Sequence, residues 1–221
     1  MPSSLVHLAF AGMIAAVLLG GAFDRRSLLV VLGVTAIPDL DAFVGLFFTF
    51  GHRTAFHTFL IPALAAALLA VDEHRPGDGL IRGRWGWRGV RIAWVSIFCF
   101  AVAAIGLDLF TGGVNPLWPL HDQFWVINGK IELSNKHGIV QTFVDLSRHT
   151  QNATQGGPHP HSFGSSQQVH ISTGVDPQQG PEPADVERVF PVVRSGWQLL
   201  LLLVGSFVTA ARFWIDPTRE Q

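Results

Sequence analysis

Charge is scarce in this sequence. Asp, Glu, Lys and Arg make up 14% of its 221 residues, against roughly a quarter in ordinary soluble domains. That scarcity excludes a disordered chain, an ordinary soluble domain and a nucleic-acid-binding domain with a basic surface. The signs almost cancel as well, with 15 basic and 16 acidic residues and a formal net charge of −1, so no bulk attraction to polyanions is expected. Cysteine is nearly absent. Cys99 stands alone inside an apolar run, cannot close an intrachain disulfide, and leaves the compartment unread. What is abundant is apolar surface: 48% of residues are hydrophobic, arranged in long uncharged runs between short charged clusters, the pattern of several membrane spans. The mean hydropathy of +0.34 is modest for such a chain, so some segment lowers it.

Five apolar runs approach the roughly 17–25 residues needed to cross a hydrocarbon core about 30 Å thick. They are Leu5–Phe23, Leu28–Phe50, Phe56–Val71, Ile92–Phe110 and Trp197–Ile215. Thr111–Ser195 is the polar excursion, rich in Gly, Pro, Gln, Ser, Asn and His. The alternation around Asn128–Gly129 predicts a hairpin, and the stretch TQNATQGGPHPHSFGSSQQ has no periodicity and reads as a mobile loop. The expected fold is therefore all-α: a polytopic helical bundle of about five spans with a long polar loop between the fourth and fifth. The chain divides at 1–125, a membrane-embedded core, 126–195, a polar extramembrane loop, and 196–221, a final span and tail.

Arginines follow the first span (Arg25, Arg26), the third (Arg75, Arg82, Arg84, Arg88, Arg91) and the fifth (Arg212, Arg219). Cytoplasmic loops carry the Lys and Arg excess, which predicts a multi-pass protein of the cell or inner membrane with its N-terminus outside and its C-terminus in the cytoplasm. The first run lacks a basic n-region and a small-residue cleavage site, so it reads as a retained span rather than a signal peptide.

Against this apolar background the ionisable exceptions stand out, because a charged group within a span costs a few kcal/mol and is retained for a function. They are His7, Asp39, Asp41, His57 and Asp108, with His52 just before the third run. At about 1.5 Å rise per residue, all six fall in the outward half of the bilayer. Carboxylates together with imidazoles suit a divalent metal, zinc first and manganese second. Asp39 and Asp41 are splayed on a regular helix, but Pro38 breaks it and turns both carboxylates toward one cavity. Thr54 reads as an N-cap that places His57 in a first helical turn. Thr111, three residues after Asp108, reads as a donor orienting that carboxylate. His121, His137, His159 and His161 lie in the polar excursion, where a solvated Gly- and Pro-rich backbone offers no fixed support for a metal.

These residues resemble the membrane-bound metal-dependent hydrolase family, whose bacterial members are described as LexA-binding and inner-membrane-associated. The resemblance rests on His7, PDLD at Pro38–Asp41, HRTAFHT at His52–Thr58 and GLDLFTGGVNPLWPL at Gly106–Leu120, and it covers about the first 125 residues. It implies His7, Asp39, Asp41, His52, His57 and Asp108 as the metal set, which the depth of the residues also picks out. Through a distant similarity to zinc-dependent phospholipase C and single-strand nucleases, it implies phosphoester hydrolysis. A LexA-type partner is implied by the resemblance alone.

The activity expected is hydrolysis of a small-molecule or lipid-like phosphoester or other ester at the outer leaflet, by water activated on one or two divalent ions. Asp41 or Asp108 would be the general base, and Arg53 either binds a phosphate oxygen or marks the interface. Nucleic acid is not expected as a partner. Two other classes fit less of the pattern. A cation- or proton-coupled transporter would need polar groups through both leaflets, and a non-catalytic membrane anchor would leave the buried ligands without a role.

Overall fold

The structure is a computed structural model that describes residues 2–45, 47, 52–136, 138–143, 161–178, 180, 183 and 185–215. Helices dominate it. α1 (Ser4–Leu18) and α2 (Arg25–Ala36) are followed by a 3₁₀ turn (Pro38–Leu40), the short α3 (Asp41–Val44), α4 (Leu60–Glu73) and α5 (Leu80–Cys99). α5 runs on through a π-helical segment (Phe100–Gly106) into α6 (Leu107–Thr111), and α7 (Gly196–Ile215) closes the chain. Four strands lie between α6 and α7: β1 (Phe124–Val126), β2 (Ile131–Ser134), β3 (Gly138–Gln141) and β4 (His161–Gly164).

α1, α2, α5 and α7 form the bundle. Its core is small-residue and aliphatic, with Ala11, Ala15, Leu19, Val31, Val95, Cys99 and Ala103 packed together. Glycine permits the closest approach. A Cβ on Gly205 of α7 would meet the Ala9 carbonyl oxygen at 2.4 Å, and one on Gly12 of α1 would meet Thr209 Oγ1 at 2.6 Å, the small-residue seam by which membrane helices pack. α7 is inside out by the standard of a soluble protein: Leu200, Leu203 and Phe207 are exposed, whereas Gln198 and Gly205 are buried. Such a face suits lipid.

Two helices among the described residues are long and apolar enough to cross a membrane, Leu80–Thr111 with 32 residues and Gly196–Ile215 with 20. A third crossing exists if Arg25–Ala36 and Pro38–Val44, bent by 42°, count as one. The expectation of five spans is not met. α1 has 15 residues and α4 has 14, about 21–23 Å of helix each. Counting apolar residues overlooks where helices stop. Gly20, at φ +52°, ends the first run in a 3₁₀ turn, Pro38 breaks the second, and in the third the 52–59 stretch gives backbone N–H groups of Arg53 and Phe59 to Asp41 and the Pro116 carbonyl.

The all-α expectation is corrected by two small antiparallel sheets, β1–β4 and β2–β3. The predicted hairpin exists but is displaced: its strands pair Ile131 with Gln141 and Ser134 with Gly138, so the chain reverses after Ser134 rather than at Asn128–Gly129. Part of the expected mobile loop is also folded. Strand β4 pairs with β1, and the Phe163 and Phe124 rings lie 5.7 Å apart. Residues 144–160, with His159, and His137 lie outside the described residues.

One end of the bundle gathers arginines. Asp24 caps α2, accepting from Ser27 N at 2.7 Å, and pairs with Arg88 of α5. Arg91 reaches the Leu19 carbonyl at 3.4 Å and Arg212 the Gly20 carbonyl at 3.3 Å. The opposite ends of α1, α2, α6 and α7 frame the site described next.

Candidate metal centre

Four separate segments bring the six expected residues together. His7 comes from the first turn of α1. Asp39 and Asp41 come from the Pro38 break, where a proline ring at the first 3₁₀ position sets the bend. His52, Arg53 and His57 come from the connection before α4, and Asp108 from α6, which the wider π-helical turns deliver. His7, Arg53, Asp41, His57 and Asp108 are all buried. Asp39 and His52 are partly exposed at the edge.

Asp41 organises the imidazoles. Its Oδ1 lies 2.7 Å from His52 Nδ1, and its Oδ2 lies 2.8 Å from His57 Nδ1 and accepts the Arg53 N–H at 2.9 Å. An ionised carboxylate only accepts, so both Nδ1 atoms donate, and in the neutral imidazoles that a metal requires both Nε2 atoms keep their lone pairs. His7 is fixed in the same sense, because its Nδ1 donates to the Ala103 carbonyl at 2.7 Å. Held this way, an imidazole presents Nε2 as a metal ligand.

The lone pairs converge on Asp108 and Asp39. His57 Nε2 lies 3.2 Å from Asp108 Oδ2 and 3.9 Å from Asp39 Oδ1, and His7 Nε2 lies 3.5 Å from Asp108 Oδ1. None of these pairs is a hydrogen bond. Among the described residues Asp39 Oδ2, His57 Nε2 and Asp108 Oδ2 are buried without a hydrogen-bond partner, which buried polar atoms rarely are. A zinc tetrahedron with bonds of about 2.1 Å has edges of about 3.4 Å, close to the observed separations. Two triads, His7–Asp39–Asp108 and Asp41–His52–His57, each offer ligand atoms within 4.8 Å of one another. The donor set therefore fits a divalent ion. With neutral imidazoles, three carboxylates and the Arg53 guanidinium leave two uncompensated negative charges, which a divalent cation would neutralise.

Arg53 is spent inside this network. Its Nη2 pairs with Asp108, its Nη1 donates to the Gly113 carbonyl at 3.1 Å, and its own carbonyl accepts the Asn115 N–H at 3.0 Å. Its φ of +68° is rare for a side-chain-bearing residue. That backbone turn lets one residue give its N–H to Asp41 and its guanidinium to Asp108.

Two local expectations fail. Thr54 caps no helix, because α4 starts only at Leu60, whose N–H donates to Thr58 Oγ1 at 3.3 Å. His57 thus sits in irregular backbone. Thr111 donates to the Leu107 carbonyl at 2.8 Å, so Asp108 is oriented by Arg53 instead. Of the other histidines, His121 and His161 are exposed, and neither belongs to a ligand cluster among the described residues.

A support absent from the sequence reading lies just outside. Asp122 accepts from Asn115 Nδ2 at 2.6 Å, Ser166 N at 2.9 Å and Ser166 Oγ at 2.8 Å. Partial burial pushes the Asp122 carboxyl up, but these donors outweigh it and hold it below the usual carboxylate range. The bonds tie the polar excursion to Asn115, and through it to Arg53. Comparison with known families, curated proteins and solved structures gives no match, so what is said of the centre's chemistry rests on its own geometry.

Proposed function

We propose that the chain is a membrane-bound, metal-dependent hydrolase acting on a phosphoester or other ester where membrane meets water. The supporting observation is the cluster of buried, unpartnered ligand atoms Asp39 Oδ2, His57 Nε2 and Asp108 Oδ2. His7, Asp39, His57 and Asp108 would hold the ion, zinc first by its preference for nitrogen and carboxylate ligands, with manganese second. The ion supplies Lewis acidity and lowers the pKa of a water molecule.

The chain's own groups have distinct tasks. Asp41 fixes the tautomers of His52 and His57. Arg53 holds Asp108 and offsets its charge, a supporting task distinct from both sequence readings, the phosphate contact and the interface marker. His52 stands at the open edge with Asp41 behind its Nδ1, an imidazole–carboxylate pair suited to carry a proton to or from a reacting group. Asp41 and Asp108, the expected bases, are committed to these partners. The protein would cross the membrane more than once, in the inner membrane, with the arginine-rich end of the bundle cytoplasmic and the metal centre facing outward.

The test is a hydrolysis screen of phosphomonoesters, phosphodiesters and carboxylesters with the zinc- or manganese-loaded protein. Turnover that disappears in His57→Ala and falls at least about a hundredfold in His52→Ala supports the proposal. Metal-dependent binding without turnover of any ester, or cation uptake into proteoliposomes abolished by Asp39→Asn, would replace it with transport.

A further inference from the structure

Beside the metal centre lies a half-open cavity of about 380 Å³ whose wall includes Asp39 and His52. Asp39 and His52, the two partly exposed members of the cluster, open onto this cavity. Its lining also includes Ser172–Val175, Val189–Pro191 and Arg194, from the polar excursion to which the sequence assigned no task.

This wall is built. Arg188 donates to the carbonyls of Gly174 at 3.2 Å and Val175 at 2.8 Å, clamping its two strips together. Gly174 allows the Phe190 ring to lie so close that a Cβ would meet it at 2.5 Å. Ser3 Oγ donates to the Val192 carbonyl at 2.5 Å, and Gln198 of α7 accepts the Arg194 N–H at 2.8 Å. The strip is therefore fastened to the starts of both α1 and α7.

Two features of the cavity select a ligand. Its rim carries exposed apolar side chains from both walls, Leu40 and Phe43 at 51% each and Phe190 at 68% exposure, a surface that suits hydrocarbon. Its cation is Arg194. Among the described residues no acceptor engages the Arg194 guanidinium, whereas both terminal nitrogens of Arg53 are taken up by Asp108 and the Gly113 carbonyl. A guanidinium is matched in geometry to phosphate oxygens.

We infer that this cavity is the substrate site and that it takes an amphiphile with a phosphoester head and an acyl or similar apolar tail, its head held by Arg194 and its tail against Leu40, Phe43 and Phe190. The inference rests on the hydrolase reading for the bond cleaved, but not for binding. Water-soluble phosphoesters lack the part that meets the rim, and neutral amphiphiles lack the part that meets Arg194.

The experiment uses the full-length zinc-loaded chain in phosphatidylcholine nanodiscs, with empty discs as reference. The probes are the phosphonate analogue of dioctanoyl phosphatidic acid, which is not hydrolysed, dioctanoylglycerol and glycerol 3-phosphate. The phosphonate amphiphile should bind at least about tenfold more tightly than dioctanoylglycerol, as expected for a charge-assisted contact, and glycerol 3-phosphate should not displace it. Arg194→Ala should lose about tenfold in affinity and Arg194→Lys less, both with unchanged metal content. Phe190→Asp should weaken the amphiphile alone. Equal binding of charged and neutral amphiphiles, displacement by glycerol 3-phosphate, or an unaltered affinity in Arg194→Ala would overturn the inference. Arg194-dependent binding in a protein that holds no metal or cleaves no ester would refute the hydrolase reading and leave this one standing.

Discussion

The two ends of the bundle handle charge in opposite ways. At the arginine end, three cations each reach a separate acceptor: Arg88 on Asp24, Arg91 on the Leu19 carbonyl, Arg212 on the Gly20 carbonyl. The side chains of Arg88 and Asp24 are partly open to solvent, so such pairs contribute little, roughly 0–1 kcal/mol each. At the other end the charges are buried, share partners across four segments, and leave ligand atoms with nothing to bind. The arginine end is what a membrane interface alone demands. The excess of buried, shared and unsatisfied groups at the far end is what a bound ion would explain.

Substitutions that remove one member of each set should sharpen this contrast. Arg53→Ala leaves Asp108 buried beside no cation and should cost about 3–5 kcal/mol, read as a large fall in thermal midpoint of the metal-free protein, with added zinc recovering part of it. A fall no larger than that for Arg212→Ala would erase the difference between the ends. Next in size is Asp41→Asn. It nearly preserves volume but no longer fixes both imidazoles, and zinc affinity should drop about 10–100-fold in a competition titration with a chelator. Unchanged affinity would show that Asp41 orients nothing the ion needs.

Asp122→Ala should cost about 1–3 kcal/mol by leaving Ser166 and Asn115 without their acceptor, and should speed amide exchange in 161–169 while the bundle stays protected. The same contact has a pH sign. Because the folded-state carboxyl is held low, its contribution is complete above the unfolded value of about 3.9 and is lost as pH falls through the lowered folded value. Exchange in 161–169 should therefore rise on acidification below about pH 4. Smallest is Arg212→Ala, expected within about 0.5 kcal/mol of wild type for a partly exposed side chain that reaches the Gly20 carbonyl.

The residues of the candidate metal centre are legible because each breaks a pattern. An Asp or His in an apolar run is conspicuous, and Pro38 next to two acids announces a break rather than a continuous helix. Their partners were less visible. Arg53 reads from sequence as either a phosphate ligand or an interface cation, because its φ of +68°, which lets it serve Asp41 and Asp108 together, leaves no mark in composition. Thr54 and Thr111 were assigned by spacing on helices that either start later or keep the hydroxyl on their own backbone. The π-helical turns arise in a plain Ala-, Val- and Ile-containing stretch. Asp122 and Ser166, 44 residues apart, meet through the sheet, and the cavity-wall strips at 172–175 and 189–191 with Arg194 have no periodicity to betray them. The span count failed for a related reason: hydropathy measures what a segment tolerates around it, whereas Gly20, Pro38 and the backbone bonds of 52–59 decide where its helix ends.

The central claim is that the buried cluster holds a metal ion, and elemental analysis of the detergent-purified protein by mass spectrometry tests it most directly. At least one zinc or manganese per chain is expected in the wild type, lost in the His57→Ala, Asp108→Ala double variant and retained in Arg212→Ala. A wild-type protein without stoichiometric metal that also takes up none on reconstitution, or a double variant that keeps its full complement, would contradict it.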